Sequence, residues 1–190
     1  MYSDRVIVEE YFAGREYRFL VVDDKVRAVA CREPANVTGD GRSAVRQLID
    51  KKNQGRGIDY RYPLLKILPD DELFRHLKSQ SLSLDTILKK GEKVYLRKNS
   101  NLSTGGDSID VTYSMPSSYK GIAVGAAQSA GLNIAGVDII MRNPEIAPSA
   151  GNYIVVELNA PAMLSMHDFP FIGKNRHVEK YVLDSILNSK

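Results

Sequence analysis

The chain has 190 residues, 43% hydrophobic and 26% charged, with a net charge of +3 from 26 basic and 23 acidic side chains. That suggests one domain, or one and a half, of ordinary soluble composition, long enough to bury a core unaided. The charge balance is too small to argue for nucleic acid or a membrane surface as partner, Cys31 as the only cysteine leaves no internal disulfide, and no apolar run reaches membrane-spanning length. No signal-peptide pattern stands at the N-terminus, so the cytoplasm is the expected compartment.

In chain order, VIVEEY (6–11) reads as a strand, an abrupt opening for a domain. YRFLVV (17–22) and KVRAVAC (25–31) read as a hairpin, with Asp23 and Asp24 as turn formers and Cys31 as a small core residue. NVTGDG (36–41) reads as a loop. SAVRQLIDKKNQ (43–54) carries Ala44, Val45, Leu48 and Ile49 at helical spacing, with Ser43 as cap. A polar connection (55–63) leads to PDDELFRHLKSQ (69–80), whose acidic first turn marks a helix start. Residues 81–99 read as a turn of helix and a strand. NLSTGGDS (101–108) is a loop in which Gly105 and Gly106 can take positive φ. SIDVTY (108–113) is a short strand, and SSYKGIAVGAAQSAG (117–131) is a small-residue helix stopped by Gly131. IAGVDIIM (134–141) and YIVVELN (153–159) are neighbouring strands, and VEKYVLDSILNSK (178–190) is a closing amphipathic helix. The sum is α+β: a mostly antiparallel sheet with helices packed on one side.

Four stretches carry chemistry. An isolated acid in a strand is usually a solvated edge residue, but the last strand pair carries three oxygen-bearing side chains where apolar ones belong. Asp138 sits in the first strand. Glu157 and Asn159 close the second and share a face by alternation. Two carboxylates and an amide form a hard, all-oxygen set suited to Mg²⁺ carrying phosphate oxygens. EEYFAGRE (9–16) reads as a strand edge followed by a turn at Gly14. Such an edge can meet a purine through its backbone while a carboxylate holds ribose hydroxyls. Arg32, closing an apolar strand before Pro34, suits a bidentate grip on carboxylate or phosphate. LRKNSNLSTGGDSID (96–110), with Arg97 at its head, can cradle an anion. His167 in APAMLSMHDFPFIGKNR (160–176) is read as structural rather than catalytic.

VEEYFAGREYRFLVV, CREPANVTGDG, LRKNSNLSTGGDSID, AGVDII and VVELNAPAM together resemble the ATP-grasp superfamily. Within it the sequence is most similar to the glutathione synthetase module at the C-terminal end of the bacterial bifunctional glutamate–cysteine ligase/glutathione synthetase. SYKGIAVGAA and MHDFPFIGKNR favour this module over cyanophycin synthetase, a relative sharing VTGDG and LSTGGDSIDVT. The resemblance implies that Glu9, Glu10, Tyr11 and Phe12 form the adenine edge and Glu16 the ribose carboxylate. It implies that Asp138, Glu157 and Asn159 hold Mg²⁺ or Mn²⁺, and that Arg32 and Arg97 steady phosphates, an acyl phosphate or a substrate carboxylate. The implied activity joins γ-glutamylcysteine and glycine at the expense of ATP. The expectation for residues 1–190 is the C-terminal portion of an ATP-grasp domain, without the lysine-bearing N-terminal subdomain of the same polypeptide and inactive alone. Apolar residues such as Phe12 and Val156 would be left to drive self-association, a homodimer being one form. The alternatives are a cyanophycin-synthetase-like ligase module and a noncatalytic binding domain on the same fold.

Overall fold

A computed structural model describes residues 6, 8–59, 63–160 and 162–188. Its centre is a five-stranded, wholly antiparallel sheet in the order β5-β2-β1-β6-β7. The strands are β1 (Arg15–Val22), β2 (Lys25–Glu33), β5 (Asp107–Asp110), β6 (Ile134–Met141) and β7 (Tyr153–Asn159). β1 and β2 form the expected hairpin. Asp23 and Asp24 close it with φ of 50° and 56°, the doubly left-handed turn whose twist matches that of paired strands.

The two sheet faces differ in kind, and alternation along the strands is the reason. One face carries Tyr17, Phe19, Val21, Val29, Cys31, Val137 and Ile139, all buried, and is covered by α3 (Ser117–Ser129). Tyr119, Ala123 and Ala127, four residues apart, form the helix stripe that meets it. Cys31 is thus a core residue, as expected, and burial pushes its thiol pKa up. The opposite face carries Leu20, Val22 and Ala28 at one end, under α5 (Val178–Asn188). Helices therefore lie on both faces, not on one. At the other end this face turns polar, with Glu16, Arg18, Arg32 and Asp138 on adjoining strands.

A second layer builds on the short pair β3 (Asn36–Thr38) and β4 (Lys93–Tyr95). It packs α1 (Val45–Asn53) and α2 (Asp71–Ser79) around Val45, Ile49, Ile67, Leu73 and Leu96. Asn36–Thr38 is strand rather than loop, because its backbone pairs with β4. The expected cap of α1 is displaced. Ser43 donates its N–H and hydroxyl to Asp40, and the helix opens at Ala44, whose N–H is taken by Gln47. α2 starts as expected, with Asp70 accepting from Leu73 N–H at 3.0 Å. Residues 84–85 make a turn and no helix. α4 is the single turn Ser165–Asp168.

The opening VIVEEY is not a strand where it is described. Val8 to Phe12 has no regular structure and Tyr11 is 88% exposed; Ile7 lies outside the described residues. So do residues 60–62 of the polar connection, Pro161 and the last two residues of the closing helix.

Candidate functional site

The polar end of the sheet face is built by four strands in register. Arg18 lies opposite Asp138, and Asp138 opposite Glu157 on β7. Arg32 lies opposite Glu16 on the other side of β1. A bulge decides the outcome on β7. Ile139 pairs with Val155 while Asp138 pairs with Glu157, so Val156 is the extra residue. Without it, Glu157 would turn to the α3 side. With it, Glu157 and Asn159 both join Asp138.

Arg18 grips Asp138 with Nε and with Nη2, the latter at 2.7 Å from Oδ2. The same Nη2 lies 3.7 Å from Glu157 Oε1. Arg32 Nη1 lies 3.7 Å from Asp138 Oδ2, and Arg32 Nη2 donates to Glu16. Glu16 also accepts from Ser100 Oγ, and Asn159 Nδ2 donates to Glu157 at 2.9 Å. Asp138 is 1% exposed and the Glu157 side chain 55%. Burial raises the Asp138 pKa against the pull of Arg18 and then Arg32; its two-pronged guanidinium contact is that of an ionised carboxylate. Glu157 is held below the usual carboxylate range, first by the Asn159 amide, with the Arg18 and Arg32 guanidinium charges adding to it. Gly136 makes room for this. A Cβ there would sit 3.1 Å from Arg18 Cδ and Nη1, on the path the side chain takes across the sheet.

The donor set fits a hard divalent cation. Glu157 and Asn159 present oxygens at an exposed rim, and each Asp138 oxygen has lone-pair capacity beyond the bond it accepts from Arg18. Among the described residues no group of three His, Cys, Asp or Glu side chains gathers as a metal site, so the amide of Asn159 is needed to complete three donors.

Other expected site residues lie elsewhere or do other work. Arg97 is a correction. Its buried guanidinium reaches Glu72 at 2.8 Å, Asp70 at 2.6 Å and the Leu68 carbonyl at 3.2 Å, tying its loop to the first turn of α2. The Gly105 and Gly106 N–H groups bond Leu102 and Asn101 carbonyls, and the Thr104 hydroxyl bonds Asn99. Only Gly105 takes positive φ, at 94°. Gly106 is glycine because a Cβ would meet the carbonyl oxygens of Ser100, Asn101 and Glu33 at 2.7 to 2.9 Å. Glu9, Glu10 and Tyr11 are exposed and lie on no sheet edge, and Phe12 lies under the Arg142 guanidinium at 4.8 Å. Glu16 is half-buried, with Arg32 and Ser100 on its two oxygens, so it faces the polar cluster and is not a free rim carboxylate.

Three features escaped the sequence reading. Arg18 was hidden inside YRFLVV, although a charge in an apolar run is the signal that singled out Asp138. Asp107 joins Arg56, Lys52 and Asn36 in a buried network, with the Lys52 ammonium 4.8 Å from the Phe171 ring centre. Arg176 clasps Asp110 beside His167. His167 is buried with no partner at Nε2 among the described residues, and burial lowers its pKa to about 3, in keeping with a structural reading.

No family model matches the chain. The glutathione biosynthesis bifunctional protein GshAB of Desulfotalea psychrophila is 44% identical over 183 residues, covering 95% of this chain and 24% of the relative. Its counterpart from Listeria innocua is 46% identical over 185 residues, covering 96% and 24%. The chain is a relative of these bifunctional proteins. A crystal structure of a bifunctional glutathione synthetase from Pasteurella multocida superposes with a TM-score of 0.83 at 40% identity, covering 95% of this chain and 25% of that one. The resemblance read from the sequence is borne out, and so is the α+β class. The chain spans about a quarter of the length of the curated relatives it matches. No helix among the described residues is long and apolar enough to cross a membrane.

Proposed function

We propose that this chain is the phosphate- and metal-facing part of an ATP-grasp ligase that makes glutathione from γ-glutamylcysteine and glycine. The observation that carries the reading is the gathering of Asp138, Glu157, Asn159, Arg18 and Arg32 at one end of one sheet face, in a chain 44% identical to a glutathione biosynthesis protein. In this reading residues 1–190 are the C-terminal portion of the ATP-grasp domain, and the lysine-bearing subdomain lies outside them. The relatives' roughly fourfold greater length supports that division.

Asp138, Glu157 and Asn159 would hold Mg²⁺ or Mn²⁺. When bound, the metal supplies neutralisation of the charge on the transferring phosphoryl oxygens. Arg18 and Arg32, fixed by Asp138 and Glu16, supply donors that face phosphate or the acyl phosphate. The chemistry is two-step. The γ-phosphoryl group passes to the γ-glutamylcysteine carboxylate, releasing ADP. The glycine amine then attacks the acyl carbon, phosphate leaves, and the amine gives up a proton. Both steps depend on positioning and on excluding water. Phe12 and Glu9 to Tyr11 remain the adenine-side candidates, with Glu16 acting through Arg32.

The test is ADP and glutathione formation by the full-length protein with ATP, Mg²⁺, γ-glutamylcysteine and glycine. Glycine-dependent ADP release is expected. ADP release that responds to another amino acid and not to glycine points to a cyanophycin-synthetase-like specificity. Nucleotide binding with no ligation under any acceptor defeats the enzymatic reading.

A further inference from the structure

The cation position between the two carboxylates is filled by a side chain. Arg18 Nη2 lies 2.7 Å from Asp138 Oδ2 and 3.7 Å from Glu157 Oε1, so one nitrogen bridges the pair. Its seat is built for it: Gly136 clears its path, and the Arg18 side chain is only 7% exposed. Arg32 adds a second guanidinium 3.7 Å from the same Asp138 oxygen.

We propose that Arg18 stands in for the divalent cation, so that this site takes up its metal only together with nucleotide phosphates. The proposal rests on the metal-site reading above. Its logic is charge balance. Glu16, Asp138 and Glu157 face Arg18 and Arg32, which leaves about one negative charge over at neutral pH. A bare divalent ion brought to Asp138 and Glu157 meets a guanidinium already on the same oxygens. The two cations repel at contact distance in a partly buried setting, where screening is weak. A nucleotide changes the balance. Its phosphates offer Arg18 a two-pronged partner as good as the carboxylate it gives up, and they bring the metal with them. Arg18 then belongs to the phosphates and Asp138 to the metal. Free cation is refused, and the acid pair stays neutralised until substrate arrives.

The test is Mn²⁺ binding by the purified full-length protein, read by electron paramagnetic resonance of free Mn²⁺, without nucleotide and with ADP. Wild type is expected to bind Mn²⁺ weakly alone and more tightly with ADP. Arg18→Gln is expected to bind Mn²⁺ alone at least about tenfold more tightly than wild type, since a neighbouring positive charge has gone. The gain should vanish in Arg18→Gln/Glu157→Gln. The variant's thermal midpoint should likewise rise with Mn²⁺ more than that of wild type. If Arg18→Gln does not fold, Arg18→Met keeps the apolar stem without the charge and should show the same gain in Mn²⁺ affinity. Equal Mn²⁺ affinity in wild type and the Arg18 variants overturns the proposal. If that affinity is still lost with Glu157→Gln, the metal-site reading survives. Mn²⁺ binding that ignores Glu157→Gln, with or without ADP, defeats the metal-site reading itself.

Discussion

Replacing Asp107 by alanine tests a buried polar network outside the site. Asp107 is 2% exposed, and each oxygen is committed: Oδ1 to Arg56 Nη2, Oδ2 to Lys52 Nζ at 2.7 Å and Asn36 Nδ2 at 2.9 Å. Arg56 is itself 1% exposed, and its Nη1 holds the carbonyls of Leu65, Gly105 and Gly106 at 3.0 to 3.2 Å, so it cannot swing out to water. Asp107→Ala leaves that guanidinium and, in part, the Lys52 ammonium without a counter-charge. Breaking a buried pair from one side costs about 3–5 kcal/mol. The lower half of that range is expected, because Lys52 retains the Asn36 carbonyl at 2.9 Å and the Phe171 ring. For a chain of this size, about 3 kcal/mol corresponds to a fall in Tm of roughly 6–12 °C. Urea titration of wild type, Asp107→Ala, Arg56→Met and the double variant gives the coupling directly. The double variant should recover at least about 1 kcal/mol of the summed losses, since it removes the orphaned charge. A loss below about 1 kcal/mol in Asp107→Ala, with additive losses in the double variant, would refute the claim that this network is closed to water.

Gly106→Ala places a methyl against three backbone oxygens that cannot yield, and should cost about 1–3 kcal/mol in urea unfolding; an unchanged midpoint would contradict the packing described. His167 gives a pH signature. Its folded pKa of about 3 lies below the unfolded 6.5, so its contribution is fully present above pH 6.5 and is lost as pH falls toward 3. Unfolding free energy should decline from pH 6.5 to 4.5 in wild type, and less steeply in His167→Leu; equal slopes would count against the assignment. Glu16→Gln should lower kcat in the full-length protein as well as raise the KM for ATP, because it frees Arg32 as well as losing a carboxylate. A change in KM alone would restore Glu16 as a direct ribose contact.

Much of the architecture was legible because local pattern and tertiary demand agree. The Asp23–Asp24 turn, the acidic start of α2, the small-residue face of α3 and the strand pair around Asp138 each have a local cause. The polar end of the sheet face was half legible. Asp138 and Glu157 stood out as acids in apolar strands, and alternation placed Glu157 with Asn159. What made them meet Asp138, the bulge at Val156, has no residue signature in YIVVELN. Arg18 was missed because one charge in YRFLVV reads as noise until its cross-strand partner is known. Arg97 misled for a converse reason: an arginine before a glycine pair suggests an anion, yet its anions are the carboxylates of Asp70 and Glu72 at the start of α2, brought near only by the fold. Val8 to Phe12 has strand composition, but no strand pairs with it among the described residues.

The central claim is that one end of this sheet face holds the metal that carries ATP phosphates. It is tested most directly by turnover of the full-length protein bearing Asp138→Asn and, separately, Glu157→Gln, with folding checked by circular dichroism. Each change is nearly isosteric and removes one negative charge from the donor set. The account predicts a fall in glycine-dependent kcat of at least about a hundredfold in each, the scale of losing an electrostatic group at a phosphoryl-transfer centre. Folded variants that turn over within a few-fold of wild type would contradict it.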